Sequence, residues 1–198
     1  MARRSEHSQE EIKEMVLKAA ETIVIEEGFS GLKVRKIAME IGYTVGSVYM
    51  VFDNMADLIM HIKGRTLDDL TEQLNQISPN DDPAKIIEQL ASIYLTFANQ
   101  HFNRWRMLFD FSSIDDDKVP DWYQDKVDHI FGIVELQFKQ LSASYTDEQT
   151  KQASRALWSG VHGICILSSS GKMDLLGIKS IEETVILLVK NFIKGWKL

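Results

Sequence analysis

The residues most able to carry out chemistry are the single cysteine and the five histidines. His162 lies three residues before Cys165 in an otherwise apolar stretch, so a cysteine–histidine pair for nucleophilic catalysis is the first chemistry to consider. Such a pair needs a third group to orient the histidine and a lowered thiol pKa. The sequence supplies no candidate for that third group. We therefore predict that the protein is not an enzyme, and that His162 is either a hydrogen-bonded core histidine or a ligand contact.

Metal and cofactor chemistry have equally little support. The acidic run at residues 115–117 lacks the glycine and the spaced terminal glutamate of a calcium loop. His101 and His129 have no partners at metal-ligand spacing, and no phosphate-binding glycine loop is present. The sequence predicts neither a metal site nor a cofactor.

Helical periodicity dominates the elements that would position any functional residue. Ser8 and Glu11 have the spacing of a capping box, and apolar residues then recur on one face until Gly28. Four further helix starts are indicated by polar caps: Thr44, Asp53 or Asn54, Thr146 with Gln149, and Ser180 with Glu183. No segment alternates with period two, so we predict an all-α protein of about nine helices.

Two domains are expected within this helical chain. Three helices, the second and third of them short, occupy residues 1–54, and a fourth helix over about 54–76 connects them to the remainder. The run SPNDDP at 78–83 is the clearest break, because it gathers two prolines and an Asp-Asp cap. Residues 77–198 then form a second helical domain.

The charge of the chain argues against a uniform attraction to nucleic acid. The 198 residues carry a formal net charge of −7, but residues 1–52 carry only −1 of it, with Lys33, Arg35 and Lys36 clustered together. A single cysteine cannot form an internal disulfide, and no stretch of about eighteen apolar residues appears. We expect a soluble cytoplasmic protein that makes no contact with a membrane.

The pattern from Val34 to Met50 is that of a helix-turn-helix. A short helix, a turn at Gly42 and a second short helix follow one another, with the small Ala38 where the two helices would cross. Five residues remain for the outer face of the second helix, and none of them is acidic: Thr44, Val45, Gly46, Ser47 and Met50. Two packed core helices are the alternative, although a core helix would have little use for this polar face.

The segment "VRKIAMEIGYTVGSVYMVFDNMADL" (34–58) resembles the DNA-binding signature of the TetR family of bacterial transcriptional regulators. The resemblance covers about residues 8–60 and implies an N-terminal three-helix DNA-binding domain followed by a helical ligand-binding and dimerisation domain. Transferred residue by residue, it implies DNA contacts from Arg3, Arg4, Lys33, Arg35, Thr44, Val45, Gly46, Ser47, Tyr49 and Asn54.

One residue departs from the family pattern. Met55 stands where the family usually has a lysine that binds phosphate at the start of the fourth helix. Losing one phosphate contact reduces salt-dependent affinity by about one counterion's worth. Asn54 or the free amides at the start of the helix could take over part of this role.

Aromatic residues concentrate in the second domain, most densely in "FNRWRMLFDF" (102–111). Together with polar groups they predict an apolar cavity for a hydrophobic or amphipathic small molecule, although for any single aromatic residue a place in the core remains open. The predicted ligand-binding residues are Tyr94, Arg104, Trp105, Phe109, Trp122, Phe131, Trp158 and His162.

Two helices of the second domain have the pattern of a dimer interface. Ala156, Gly160 and Gly163 form a stripe of small residues, and the last helix carries an apolar stripe that includes Val185, Val189 and Phe192. We predict a homodimer built from these helices, with close packing inside one subunit as the alternative.

These features predict a ligand-responsive transcriptional regulator that binds a palindromic DNA operator as a homodimer, most often a repressor in the family it resembles. A protein that binds DNA on the same fold without regulating transcription is one alternative. A small-molecule sensor or carrier with an idle DNA domain is another.

Overall fold

The computed structural model describes residues 7–78, 82–110, 119–169, 171 and 177–197. Within these ranges the chain forms nine α-helices, one short 3₁₀ turn at Phe29–Gly31 and no strand, which confirms the predicted all-α class. The helices are α1 (Gln9–Glu27), α2 (Val34–Glu40), α3 (Val45–Val48), α4 (Met55–Leu74), α5 (Pro83–Gln100), α6 (Phe102–Met107), α7 (Asp121–Leu141), α8 (Asp147–Ser169) and α9 (Ile181–Trp196).

The helices begin at the caps that the sequence predicts. At α1 the Glu11 N–H donates to the Ser8 hydroxyl at 3.2 Å, while the Ser8 N–H donates to the Glu11 carboxylate at 2.6 Å. Side chains cap four further helices: Thr44 caps α3, Asn54 caps α4, Thr146 with Gln149 caps α8, and Ser180 caps α9. These local bonds satisfy amides that would otherwise lack a partner at each helix start.

The chain divides into two compact units. The first contains the described residues up to Leu67 together with those of 101–119. Its core is formed by α1, α2, α3, the first part of α4 and Met107 of α6, and Val16, Ile37, Val48 and Ile62 have no exposed surface. Burying such side chains, each worth about 1.5–3 kcal/mol, holds the short helices α2 and α3 against α1.

Helix α6 belongs to this first unit, whereas the predicted boundary assigned it to the second domain. The Asn103 amide donates to the Ile25 carbonyl at 2.9 Å, and the Lys63 ammonium donates to the main-chain carbonyl of Asp110 at 2.7 Å. Lys63 is buried; burial lowers the pKa of its ammonium group, an effect that the charge of Asp110 opposes. Packing on α1, which a sequence pattern does not reveal, places α6 in this unit.

The second unit contains the described residues of 68–100 and of 120–198. In it α5 packs against α7, α8 and α9, and Phe97, Phe138 and Val189 have no exposed surface. The Trp196 indole N–H donates to the Phe138 carbonyl at 3.1 Å and so ties the end of α9 to α7. None of the described helices has the length and apolar character needed to cross a membrane.

Candidate nucleic-acid interface

Helix α3 is a single turn whose start is held by two hydroxyl groups. The Ser47 N–H donates to the Thr44 hydroxyl at 3.2 Å, and the hydroxyls of Thr44 and Ser47 lie 3.0 Å apart. Thr44 is exposed and Ser47 is half-buried. Both predicted contact residues therefore lie on the outer side of the unit, but each hydroxyl already has a partner within the turn.

The crossing of α2 and α3 is as tight as the sequence predicts. Ile37 and Val48 have no exposed surface, and Ala38 is 4% exposed. Val45 is partly buried against the same core, so only part of its side chain faces solvent. Its predicted place on the outer face therefore needs correction, because one face of so short a helix must also anchor it.

Two glycines shape this segment for different reasons. Gly42 has a φ of 71°, in the left-handed region that favours glycine, and makes the turn between α2 and α3. Gly46 has no such constraint: a β-carbon added there would meet only the Thr44 hydroxyl, at an ordinary 3.6 Å. The packing of the subunit therefore leaves room for a side chain at Gly46.

Two large side chains project beyond α3. Tyr49, predicted to contact DNA, is 41% exposed, and Met50 beside it is 51% exposed. The sequence pattern places Met50 on the outer face, but the predicted contact residues do not include it. Its exposure could have been anticipated from its position four residues after Gly46.

The predicted basic contacts are available to a phosphate backbone. Lys33 and Arg35 are exposed, and neither forms an ion pair with another residue that the structure describes. Lys33 stands at the cap position of α2 without a side-chain cap bond, as the sequence suggested. Lys36 instead pairs with Glu27. Arg3 and Arg4 lie outside the described residues.

The start of α4 shows which role Met55 has in place of the lysine that the family pattern has there. The Asp57 N–H donates to the Asn54 side-chain oxygen at 2.9 Å, which leaves the Asn54 amide group exposed as a donor. Met55 is half-buried and packs against the core of the first unit. The position that carries a cation in the family pattern therefore serves packing here.

One contact in this region has no signal in the sequence. His7 lies 2.7 Å from the Tyr43 hydroxyl through its Nδ1, and the two rings meet edge to face. Tyr43 directly precedes the cap of α3. The contact ties His7, before α1, to the residue that precedes the cap of α3, across 36 positions of sequence.

Two family models match the chain. The model described as "Bacterial regulatory proteins, tetR family" matches residues 16–62, and the model described as "Tetracyclin repressor-like, C-terminal domain" matches residues 87–192. The second match alone covers more than half of the chain. The chain belongs to the TetR family. It is a transcriptional regulator with an N-terminal helix-turn-helix DNA-binding domain.

Individual relatives agree with this assignment. An uncharacterised HTH-type transcriptional regulator of Mycobacterium tuberculosis is 23% identical over 88% of this chain and 78% of its own length. The fold is similar to that of BioQ bound to its natural double-stranded DNA operator, with a TM-score of 0.67, 16% identity and coverage of 93% and 97% of the two chains. It is also similar to that of the multidrug binding protein EbrR in complex with imidazole, with a TM-score of 0.61, 16% identity and coverage of 91% and 93%.

In the second unit of this TetR-family regulator, four of the predicted ligand-binding residues come together. The Tyr94 hydroxyl lies 2.9 Å from Nδ1 of His162, and the His162 ring stacks on Trp158 at a centroid distance of 5.0 Å. Phe131 meets Trp158 edge to face at 5.6 Å. Burial lowers the pKa of His162, which favours the neutral imidazole at pH 7.

The other four predicted ligand-binding residues lie elsewhere. Arg104, Trp105 and Phe109 are in the first unit, where Trp105 has no exposed surface and lies between Phe102 and Phe109. Trp122 is in the second unit and 36% exposed, with its ring against Tyr123. Trp105 is therefore a core residue of the first unit, which is the alternative that the sequence left open. Aromatic composition alone does not show to which core such a residue belongs.

The thiol in α8 is poorly suited to nucleophilic chemistry. Cys165 is buried, and burial raises the pKa of its thiol to about 11. The thiolate is the reactive form, so this environment opposes its formation at neutral pH. Among the residues whose positions are known, no group of three or more His, Cys, Asp or Glu side chains could hold a metal ion.

The predicted dimer residues divide between the inside and the outside of the subunit. Val185 and Val189 are 1% and 0% exposed, so their assignment to a dimer surface is wrong: the side chains are enclosed within their own chain. Phe192 is half-buried against Phe138. An apolar stripe in the sequence predicts that one face of a helix is buried, but it does not show whether the same subunit or a second subunit buries that face.

The small-residue stripe of α8 is also mixed. A β-carbon at Gly160 would lie 2.8 Å from Cδ2 of Leu188, so this glycine serves packing between α8 and α9 of one subunit. Ala156 is exposed, and a β-carbon at Gly163 would meet nothing within 4 Å. Within this stripe, Ala156 and Gly163 are therefore the two positions where the described residues leave room for a second subunit.

Proposed function

We propose that this TetR-family regulator binds a palindromic operator as a homodimer, and that a small hydrophobic or amphipathic molecule releases it from the DNA, so that it acts as a repressor. The observation that carries the DNA part is Gly46. It lies exposed on α3, and within the described part of the chain no contact requires a glycine there. A glycine costs helix stability, so its presence is explained by a backbone that approaches a partner closely.

The surroundings of Gly46 support a DNA partner. Exposed Lys33 and Arg35 offer two cations to phosphates, while Tyr49 and the Asn54 amide offer uncharged donors. Such contacts fix a helix on the duplex, and base edges in the major groove then provide specificity. BioQ, a protein of similar fold, binds its operator in the crystal.

The homodimer is supported by apolar surface on α8 and α9. Ile166 is 41% exposed, Leu167 45% and Leu187 63%. Ile166 and Leu167 follow the open Gly163 by one turn of α8, so they extend the same exposed face. Exposed apolar side chains of this kind mark a protein contact surface. A second copy of the chain as the partner fits a palindromic operator, because a twofold dimer matches a twofold site.

The effector part is supported by the cluster of Tyr94, His162, Trp158 and Phe131. A neutral imidazole hydrogen-bonded to a phenol, beside two aromatic rings, combines apolar surface with few polar groups, as small-molecule sites do. EbrR, also of similar fold, is a multidrug binding protein. In the proposed mechanism the effector binds one conformation of the dimer more tightly than the other. In that conformation the distance between the two α3 helices does not match the distance between the operator half-sites, which is about 34–36 Å or the spacing typical of the family.

Selection of bound sequences from a random duplex pool tests the DNA part. Wild type is expected to enrich a palindrome, and Tyr49→Phe is expected to bind it more weakly without loss of folding. If a folded dimer enriched no sequence, the carrier with an idle DNA domain would become the better explanation.

Release from the selected operator tests the effector part. Amphipathic compounds that raise the melting temperature of wild type are expected to lower its operator affinity, and His162→Phe is expected to lose this response while still binding the operator. A compound that saturates the protein without changing operator affinity would contradict the mechanism, as would a protein that is monomeric at working concentration.

A further inference from the structure

Part of the hydrogen-bonding capacity of α3 is used within the protein. The Thr44 hydroxyl accepts the Ser47 N–H and lies 3.0 Å from the Ser47 hydroxyl. A hydroxyl in such a pair has one fewer free donor or acceptor for a base edge. Gly46 has no side chain and Val45 is partly packed on the core. Polar reading groups are therefore scarce on this face.

Met50 is the large apolar side chain that extends this face. α3 ends at Val48, and the turn after it stays attached to the helix, because the Tyr49 N–H donates to the Val45 carbonyl and the Phe52 N–H to the Val48 carbonyl, both at 3.2 Å. Met50 lies in this turn, four residues after Gly46. Half of the Met50 surface is exposed, whereas Val48 between them has none.

We propose that Met50 reads the 5-methyl group of thymine in the major groove, and that operator recognition by this protein rests on methyl contacts more than on hydrogen bonds. The inference depends on the proposed DNA-binding function and names the chemistry of its partner. The open backbone at Gly46 lets the helix come close enough for the Met50 side chain to reach the base edges.

The chemistry of the two groups is well matched. The thioether of methionine is flexible, polarizable and apolar, so it adapts its shape to a small apolar target. The 5-methyl group is the one apolar feature that the major groove presents, and it marks thymine among the four bases. Burying one such methyl group changes affinity by about four-fold.

Replacing thymine by deoxyuridine in the selected operator tests the proposal, because this removes only the methyl group. At one or two positions of each half-site, the replacement is expected to weaken wild-type binding about four-fold per methyl group. In Met50→Ala the same replacement is expected to change nothing, because the side chain that buries the methyl group is gone. Met50→Leu, which keeps an apolar side chain of similar length, is expected to retain most of the effect.

Met39→Ala is the matched control, since it removes an equally large and even more exposed methionine, 72% accessible, from α2 of the same unit. This variant is expected to respond to deoxyuridine as wild type does. The proposal is overturned if the half-site contains no thymine, if deoxyuridine leaves wild-type affinity unchanged at every position, or if the loss persists in Met50→Ala.

Failure of the inference is distinguishable from failure of the proposed function. A wild-type protein that binds a selected palindrome with no sensitivity to the methyl groups is a DNA reader of another kind. A folded protein that selects no sequence overturns both.

Discussion

A β-carbon at Gly160 would approach Cδ2 of Leu188 to 2.8 Å, whereas a β-carbon at Gly163, one turn further along α8, would meet none of the described residues within 4 Å. The first glycine lets α9 pack against α8 inside the subunit. The second lies on a free face that leads to the exposed Ile166 and Leu167. Two glycines of one stripe therefore have different roles, and substitutions can separate them.

Gly163→Leu is expected to convert the proposed dimer to a monomer and to abolish binding of the palindromic operator, because a bulky side chain would hold the second subunit away. Gly132→Leu is the control: Gly132 is half-buried on α7 and likewise has nothing within 4 Å of an added β-carbon. This variant is expected to remain dimeric. Sedimentation velocity measures both, and a dimeric Gly163→Leu would place the interface elsewhere.

Gly46→Ala and Gly42→Ala are expected to have opposite effects on stability. Alanine fits at Gly46, so its helix propensity favours folding by up to about 1 kcal/mol, while operator affinity falls. Alanine at Gly42 must adopt a φ of 71°, which costs about 1 kcal/mol or more. Urea unfolding with operator titration distinguishes the two. Unchanged operator affinity in a stable Gly46→Ala protein would contradict the proposed close approach to DNA.

Met55→Lys is expected to raise operator affinity at low salt. A lysine there can keep its stem on the core and place its ammonium group at a phosphate. Each subunit of the dimer then adds one phosphate contact, so the slope of log K against log salt should become about 1.8 steeper for the complex of one dimer with one operator. Leu136→Lys adds the same charge at a residue of α7 in the second unit that is 53% exposed, and is expected to leave the slope unchanged. Equal slopes of log K against log salt in the two variants would show that residue 55 does not face the phosphate backbone of the DNA.

Stability is expected to fall as the pH decreases from 7 to 5. Burial lowers the folded-state pKa of His162 and of His61, so the unfolded chain binds protons first as the pH drops through 6.5, and the loss levels off below the folded pKa values. His162→Gln is expected to show a smaller loss, with His61 responsible for the rest.

Tyr94→Phe is the control for this pH dependence, because it removes the hydrogen-bond partner of His162 but keeps the imidazole. Its stability is expected to fall between pH 7 and 5 as steeply as that of wild type. Urea unfolding at the two pH values measures the difference. A His162→Gln protein with an undiminished loss would show that the imidazole is accessible to protons in the folded state.

Features set by local physics could be predicted from the sequence. The caps at Ser8, Thr44 and Ser180 depend on residues three positions away, and the structure has all of them. The crossing of α2 and α3 was equally readable, since Ile37 and Val48 must be apolar and Ala38 small. These elements are also where the family signature is densest.

Features set by long-range packing could not be predicted. Nothing in the sequence around Trp105 shows that α6 belongs with α1, and no pattern links His7 to Tyr43. The stripe containing Val185 and Val189 has the same periodicity whether it faces its own chain or a partner, so only the structure identified it as interior.

The most direct test of DNA recognition compares two duplexes of identical composition at about 100 mM salt, a condition that must be fixed because phosphate contacts make affinity salt-dependent. One is the selected palindrome and the other its scrambled sequence. A specific reader is expected to bind the palindrome at least about 1,000-fold more tightly, as one dimer per site. Equal affinities for the two duplexes, from a folded dimer, would contradict sequence-specific regulation through the helix-turn-helix.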